Sequence, residues 1–392
     1  MKSVKVVVVG GGIGGLALAV ALRRRDIEVE VFERAKSFGN TGSGVELTPN
    51  GIKSLDRIDP ELGDAVRRTG WSSDLHVANM PIMSSDGKPL KSRDLRSFSA
   101  KWGAPAVGIL RAELHRLLAE AVRRDGSALV AVHHRATVTA VESDGDTALA
   151  RLADGTAVTA DVLVGADGVR STVRSMVAHD ARPHYLGFTS VRGIAKRPAE
   201  YTDGFVVVGP GGHFFAEAVD AERLFWTATT KAREGEWPAK PIEVTRADLL
   251  ELLGGWWQLV PDTIASSDLA DLLATDVHDC PPMQRWHSGR VALLGDAAHP
   301  IGPMLGQGAN MALEDAARLA DLLASARDVP AALRAYEAAR ARRANKIIQH
   351  SRVVAKVGHT TNPIMNRIRD LMIKTMNRDE TYRDKELFSY QP

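Results

Sequence analysis

Residues 4–33, VKVVVVGGGIGGLALAVALRRRDIEVEVFE, decide the fold. Val4–Val9 is valine at every position but Lys5, the pattern of a strand buried on both faces of a parallel sheet. Gly10, Gly12 and Gly15 follow at once as G-x-G-x-x-G, with Gly14 inside the same loop. Leu16, Val20 and Ala21 recur at helical spacing, which predicts a helix over Leu16–Arg25, and Ile27–Phe32 predicts a second strand ending at Glu33. Strand, glycine turn, helix and strand make a right-handed βαβ unit. The first glycine permits the tight turn, the second lets the backbone approach a pyrophosphate, and the third lets helix and strand pack closely. The helix N-terminus offers unpaired N–H groups to the phosphates. A carboxylate at Glu33 suits a ribose diol and disfavours a 2′-phosphate, so the expected dinucleotide is FAD or NAD rather than NADP.

Around this unit the composition is ordinary: 44% hydrophobic and 25% charged over 392 residues, longer than a single core usually supports. Two domains are expected, or one large domain with an inserted sheet. With 50 Lys+Arg against 48 Asp+Glu, the charge gives no reason to expect a nucleic-acid partner. Cys280 is the only cysteine, so no internal disulfide and no cysteine-based metal cluster is expected. The first apolar run leads straight into another strand instead of a cleavage site, and no segment is long and apolar enough for stable membrane insertion. A cytoplasmic protein is the expectation.

Further along, Leu55 and Ile58 suggest a helix and a second one follows Pro60. Residues 71–110 read as short strands and loops that begin a second sheet. Helical spacing returns over Arg111–Arg123, then strands are expected at Val130–Val132, Ala136–Ser143, Thr147–Leu152 and Val162–Gly165. Thr189–Ile194, Gly204–Val208, His213–Val219 and Arg223–Thr230 fit an antiparallel meander. Ala247–Leu253 reads as a helix carrying on to Trp256 and Trp257. Arg290–Leu294 is a returning strand, followed by a helix over Asn310–Ser325 and a longer one from Pro330 into the 340s.

Two more segments choose the dinucleotide. They are GADGVRSTVR, Gly165–Arg174, and GDAAHPIGPMLGQGANMALEDA, Gly295–Ala316. With the glycine fingerprint, they make the chain resemble the single-component FAD-dependent aromatic hydroxylases, the para-hydroxybenzoate hydroxylase-like flavoprotein monooxygenases. The resemblance runs from about residue 4 to 345. It implies an α/β fold: a Rossmann-type, GR2-like FAD-binding domain with an inserted mixed or antiparallel substrate sheet and C-terminal helices. Residues 1–70, 111–180 and 281–345 would form the FAD-binding domain, and 71–110 and 181–280 the substrate domain. Residues 346–392 would be a helical tail, basic at Lys356, Arg367, Arg369 and Lys374, that clamps the domains, mediates an oligomer contact or is simply solvated.

By that resemblance Asp296 lies against the flavin ribityl chain and Pro303 near the reacting edge of the ring. The backbone at Gly306, Gln307 and Gly308 approaches the pyrimidine end, with Ala309 and Asn310 in the helix start that stabilises negative charge there. Asp167 supports FAD and nicotinamide binding, Arg111 meets the FAD from the side, and Arg34 beside Glu33 suits the adenosine end. Each has a duller reading: Asp167 and Asp296 as caps or turn residues, Arg111 as a surface charge, and His299 as a structural histidine.

The implied chemistry uses NADH or NADPH to reduce FAD, and dioxygen to form a C4a-hydroperoxide that hydroxylates a small aromatic or heteroaromatic molecule. The protein would be a monomer or homodimer. An FAD enzyme of another class (epoxidase, N-hydroxylase or reductase) and a non-catalytic flavin-binding subunit are the alternatives. The segment GNTGSGVELTPNG, residues 39–51, lacks the arginine found in relatives that act on simple hydroxybenzoates, which leaves heteroaromatic and polyketide-derived rings open. Arg192, Phe205, Val207, His213, Phe215 and Trp226 are the candidate pocket residues, with Tyr185 beside them. Alternation groups Phe205 with Val207 and His213 with Phe215. Arg192 would suit a substrate carboxylate; Arg192, His213 as a base, and Pro303 are the catalytic candidates.

Overall fold

The valine run forms the strand Lys5–Val9 in the middle of a six-stranded sheet, where Val6, Val7 and Val8 have no exposed surface. The computed structural model describes residues 4–37, 43–76, 79–124, 129–201, 203–375 and 382–392. The strand order is His287–Ser288, Val291–Leu293, Val162–Gly165, Lys5–Val9, Glu28–Glu33, Val130–His134. Every pairing is parallel except that of the first two strands. Helix Ile13–Arg23 starts immediately after the glycine turn and is buried almost all round, because helix Gly308–Ser325 packs on it from outside.

The second sheet has seven strands, in the order Leu273–Asp279, His184–Lys196, Arg223–Lys231, Gly212–Ala218, Gly204–Gly209, Asn79–Ser84, Pro89–Asp94. Val206 pairs in parallel with Ile82, so the sheet is mixed, and its far edge is formed by Asn79–Ser84 and Pro89–Asp94. The strand over Thr189–Ile194 extends back to His184 through an irregularity between Tyr185 and Thr189, where Gly187 takes φ +81°. A small sheet of Gly44–Leu47, Val107–Leu110 and Trp71–Ser72 lies between the two large ones.

Three readings change. Phe98–Trp102 is a helix, not a loop, since Phe98 and Trp102 sit four apart and bury together. Trp256 and Trp257 lie in the link between helices Ile242–Leu253 and Leu259–Ala265 rather than on a helix. There Trp256 covers Gly209 and Trp257 covers Gly87. Helix Val329–Gly358, capped by Asp328 accepting from Ala331 N–H at 2.7 Å, runs without a break past residue 345. Beyond it the tail grips the second sheet: Gly211 N–H donates to Thr360 at 2.9 Å and Arg369 Nη1 to the Gly209 carbonyl at 2.9 Å. Phe388 packs on Phe98 with the rings tilted and their centroids 5.2 Å apart. Among the described residues no helix is long and apolar enough to cross a membrane.

Candidate functional site

The glycine loop separates into close-packed and open positions. A Cβ at Gly15 would stand 2.0 Å from the Gly10 carbonyl oxygen, and one at Gly10, which has φ +107°, would stand 2.4 Å from the Ala166 oxygen. A Cβ at Gly14 would meet the Leu294 side chain at 2.6 Å. At Gly12 it would meet nothing within 4 Å, so that side of the loop is open to the phosphates of a dinucleotide. Gly11 and Ala35 N–H groups donate to the two Glu33 carboxylate oxygens at 2.7 and 2.8 Å, which fixes Glu33 beside the loop. Arg34 is exposed next to it. His115 adds a contact that the sequence did not signal, Nε2 to the Gly11 carbonyl at 2.7 Å. Burial lowers the His115 pKa, which favours the neutral ring donating its N–H.

The two aspartates differ. Asp167 accepts from Ser171 Oγ at 2.5 Å and from Thr172 and Val173 N–H at 2.7 and 3.2 Å, so its carboxylate is engaged in ordering the start of helix Thr172–Val177. Asp296 is exposed at the mouth of the cradle. Arg174, last residue of the quoted segment and not singled out from sequence, is buried between them. It donates to the carbonyls of Asp296 and Ala297 at 3.2 Å each and of Ala181 at 3.1 Å, and also to that of Val169, so it ties both turns into one wall.

Behind this wall lies a network of charged and polar side chains in which His299, Glu314, Asp315 and Arg340 have no exposed surface and Arg343 is partly exposed. His299 Nε2 is 2.5 Å from Asp315, Arg340 reaches Asp315 at 2.7 Å and Glu314 at 2.5 Å, and Arg343 reaches Glu314 at 2.8 Å. Burial alone would raise Asp315, but His299 and Arg340 hold it at about 2. His299 therefore has its Nε2 committed to Asp315 on the scaffold behind the 296–308 loop. Gln307 and Asn310 use their side chains on the same scaffold: Gln307 Nε2 donates to Thr48 Oγ1 at 3.1 Å, and Asn310 Nδ2 to the Glu46 carbonyl at 3.0 Å. Pro303 and Gly306 are exposed on the loop, and the Gly306 N–H is already committed to the Pro303 carbonyl at 3.0 Å. The donors left for a ligand are the first-turn N–H groups of Gly308, Ala309 and Asn310, which have no intrahelical acceptor. Arg111 is exposed at the start of its own helix, close enough to Arg192 for their charges to interact.

The register of the second sheet sorts the pocket candidates. Phe205, Val207 and Trp226 lie on one face with Phe214, in a buried apolar cluster that includes Leu249, Leu253, Val260 and Ile264 of the covering helices. Trp226 has no exposed surface and donates Nε1–H to Ser267 Oγ at 2.8 Å. These three are core residues on the side away from the nucleotide-binding domain, which corrects their assignment to the pocket. Arg192, Phe215 and His213 share the opposite face with Ser190 and Glu217, and Phe215 and Val206 pack against the first domain's core. That face is polar and in part buried: Arg192 Nη2 donates to Thr275 Oγ1 at 2.7 Å, while the buried atoms Ser190 Oγ, Arg192 Nε, His213 Nδ1 and Glu217 Oε2 have no hydrogen-bond partner among the described residues. Burial, aided by Arg111, lowers Arg192 to about 10. Burial, with His359 and Arg369 nearby, lowers His213 to about 4. A histidine that weakly basic is a poor proton acceptor at neutral pH.

A family model described as an FAD binding domain matches residues 3–351. The chain is 34% identical to an aurachin C monooxygenase/isomerase of Stigmatella aurantiaca over 95% of its own length and 94% of the relative's. It is 35% identical to a 3-amino-4-hydroxybenzoate 2-monooxygenase of Streptomyces platensis, covering 96% and 94%. Among solved structures, Klebsiella pneumoniae HpxO complexed with FAD and uric acid superposes with a TM-score of 0.86 at 29% identity, covering 98% of this chain and 95% of that one.

Proposed function

The chain belongs to the single-component FAD-dependent aromatic hydroxylases, the para-hydroxybenzoate hydroxylase-like family, and from that premise we propose how it works as a monooxygenase of an aromatic or heteroaromatic substrate. The residues suit FAD: an open phosphate side at Gly12, Glu33 fixed beside the loop, Asp296 exposed, and helix N–H groups at Gly308 to Asn310. When bound, FAD supplies the electron transfer and oxygen activation, with NADH or NADPH as donor and the C4a-hydroperoxide as the oxygen-transferring form in this proposal. The chain's own part is to hold the ring against the Pro303 loop, exclude water and orient the substrate.

The observation that carries this reading is the buried polar face of the second sheet, whose unpaired atoms need a partner. Arg192 is the anchor we assign to an anionic or electron-rich substrate oxygen, and Phe215 and Val206 form the apolar wall. Relatives act on 3-amino-4-hydroxybenzoate, and HpxO is complexed with uric acid, which supports a nitrogen-bearing ring here. The reading includes a cytoplasmic monomer or homodimer, with Cys280 as a buried free thiol. Stopped-flow on the yellow protein tests it: a ring substrate should accelerate flavin reduction by NADH, and hydroxylated product should follow. Peroxide as the only product from every ring compound would contradict it.

A further inference from the structure

Glu46 and Glu217 come from strands of different sheets and meet over Gly108. Glu46 is the cross-strand partner of Gly108, and a Cβ on Gly108 would lie 3.2 Å from Glu217 Cδ. Glu46 is 9% exposed and Glu217 1%. Glu46 Oε1 and Glu217 Oε2 have no hydrogen-bond partner among the described residues. Glu46 Oε2 also lies beside the flavin loop, 3.5 Å from where a Cβ on Gly306 would stand. Glu217 shares the polar face with Arg192, two strands and one side-chain row away, roughly 12 Å by ordinary sheet spacings.

Two buried carboxyls this close cannot both ionise cheaply. Burial pushes both upward, and Glu217 is raised further by the charge of Glu46. Arg93 opposes the rise in both, and it lies over the Phe98 and Phe388 rings at 5.4 and 5.9 Å. The pair therefore keeps one proton between two carboxylates, with unpaired oxygens left over. Burial, rather than the shared proton, makes the carboxylate that stays ionised a stronger base than an exposed one, and so better matched to a ring hydroxyl.

We propose that Glu46 and Glu217 are the proton acceptor of the reaction, taking the proton of a ring O–H or N–H while Arg192 holds the other end of the substrate. This rests on the hydroxylase reading and narrows it to rings that carry an acidic O–H or N–H donor. In the step, the substrate O–H or N–H bond breaks and its electron pair stays on the ring heteroatom. The proton forms an O–H bond on the free carboxylate, and the pair passes from one proton and a single negative charge to two protons and none. The ring gains the electron density that favours attack on an electrophilic oxygen, and the step needs no oxidant.

The test uses the FAD-loaded enzyme and its Glu46→Gln and Glu217→Gln variants, with 3-amino-4-hydroxybenzoate and its 4-O-methyl ether as probes. Product formation is followed across pH, with FAD content as the control for folding. We expect both variants to keep FAD and to lose on the order of 100-fold in turnover of the hydroxy compound at neutral pH, within the range for general bases. The loss should shrink as pH rises and the probe ionises unaided, and binding of the ether should be unchanged. Parental turnover and pH profile in both variants would overturn the proposal. If the parent turns over neither probe, the hydroxylase reading fails for these compounds and the pair is judged by infrared spectroscopy. A protonated-carboxyl stretch present in the parent and absent from both variants supports the shared proton; no such band in the parent overturns it.

Discussion

The two faces of the seven-stranded sheet are built from the same strands, one residue out of step, yet they treat polar atoms in opposite ways. On the helix-covered face Phe205, Val207, Phe214 and Trp226 fill space, and the single polar atom of Trp226 is paired with Ser267. On the face toward the nucleotide-binding domain Ser190 and Glu217 are buried and Arg192 and His213 half-buried, each with one buried atom unpaired among the described residues. Leaving a buried polar group unsatisfied costs about 1–3 kcal/mol, which a purely structural face would have no reason to bear. One face holds the domain together; the other is the face we assign to a ligand.

Substitutions on and beside the sheet break or sharpen this contrast. The largest effect is expected at the cradle against which the polar face works. Gly12→Val would fill the open phosphate side, and FAD content in the purified protein should fall to background. On the packed face, Trp226→Ala should cost about 3–5 kcal/mol by denaturant unfolding, with substrate preference unchanged among molecules that stay folded. A changed substrate preference would return Trp226 to the pocket. On the polar face the pattern should invert: Arg192→Gln should lower kcat/KM about 10- to 100-fold, as for a hydrogen bond to a charged group, while stability moves by less than about 1 kcal/mol.

The smallest effect concerns His213. Its folded pKa, about 4, lies below its ordinary 6.5, so the unfolded chain takes up the proton first as pH falls. Above pH 6.5 the residue contributes no pH dependence; between 6.5 and about 4 it erodes stability, by up to about 3 kcal/mol. His213→Asn should flatten the stability profile in that window and leave turnover at neutral pH nearly unchanged. A large loss of turnover at pH 7 would make His213 the base after all.

The nucleotide-binding unit was legible because its glycines encode geometry directly: Gly10 and Gly15 tolerate no side chain, and Gly12 leaves room for a ligand. Alternation also grouped Phe205 with Val207 and His213 with Phe215 correctly. What alternation does not carry is which group faces which neighbour, since that depends on the helices Ile242–Leu253 and Leu259–Ala265 covering one side. The polar residues at 190, 192, 213 and 217 were the available signal, because a face carrying all of them is unlike the Phe205–Trp226 face. Glu46 was hidden for another reason. A lone acid in GVEL reads as a solvent-facing strand residue, and only the pairing with Gly108 brings Glu217 to it. Arg174 was quoted within its motif, but its four carbonyl partners come from three separate turns.

The central claim, that the cradle and the polar face together insert one oxygen atom into a ring substrate, is tested most directly with isotopically labelled dioxygen. FAD-loaded enzyme, NADH and 3-amino-4-hydroxybenzoate or another ring compound that accelerates flavin reduction would be run under ¹⁸O₂ and the product weighed by mass spectrometry. The account predicts one labelled oxygen per product molecule, with less labelled product per NADH in Arg192→Gln as the oxygen is diverted to peroxide. Product whose added oxygen comes from water, or no oxygenated product while NADH is consumed, would contradict it.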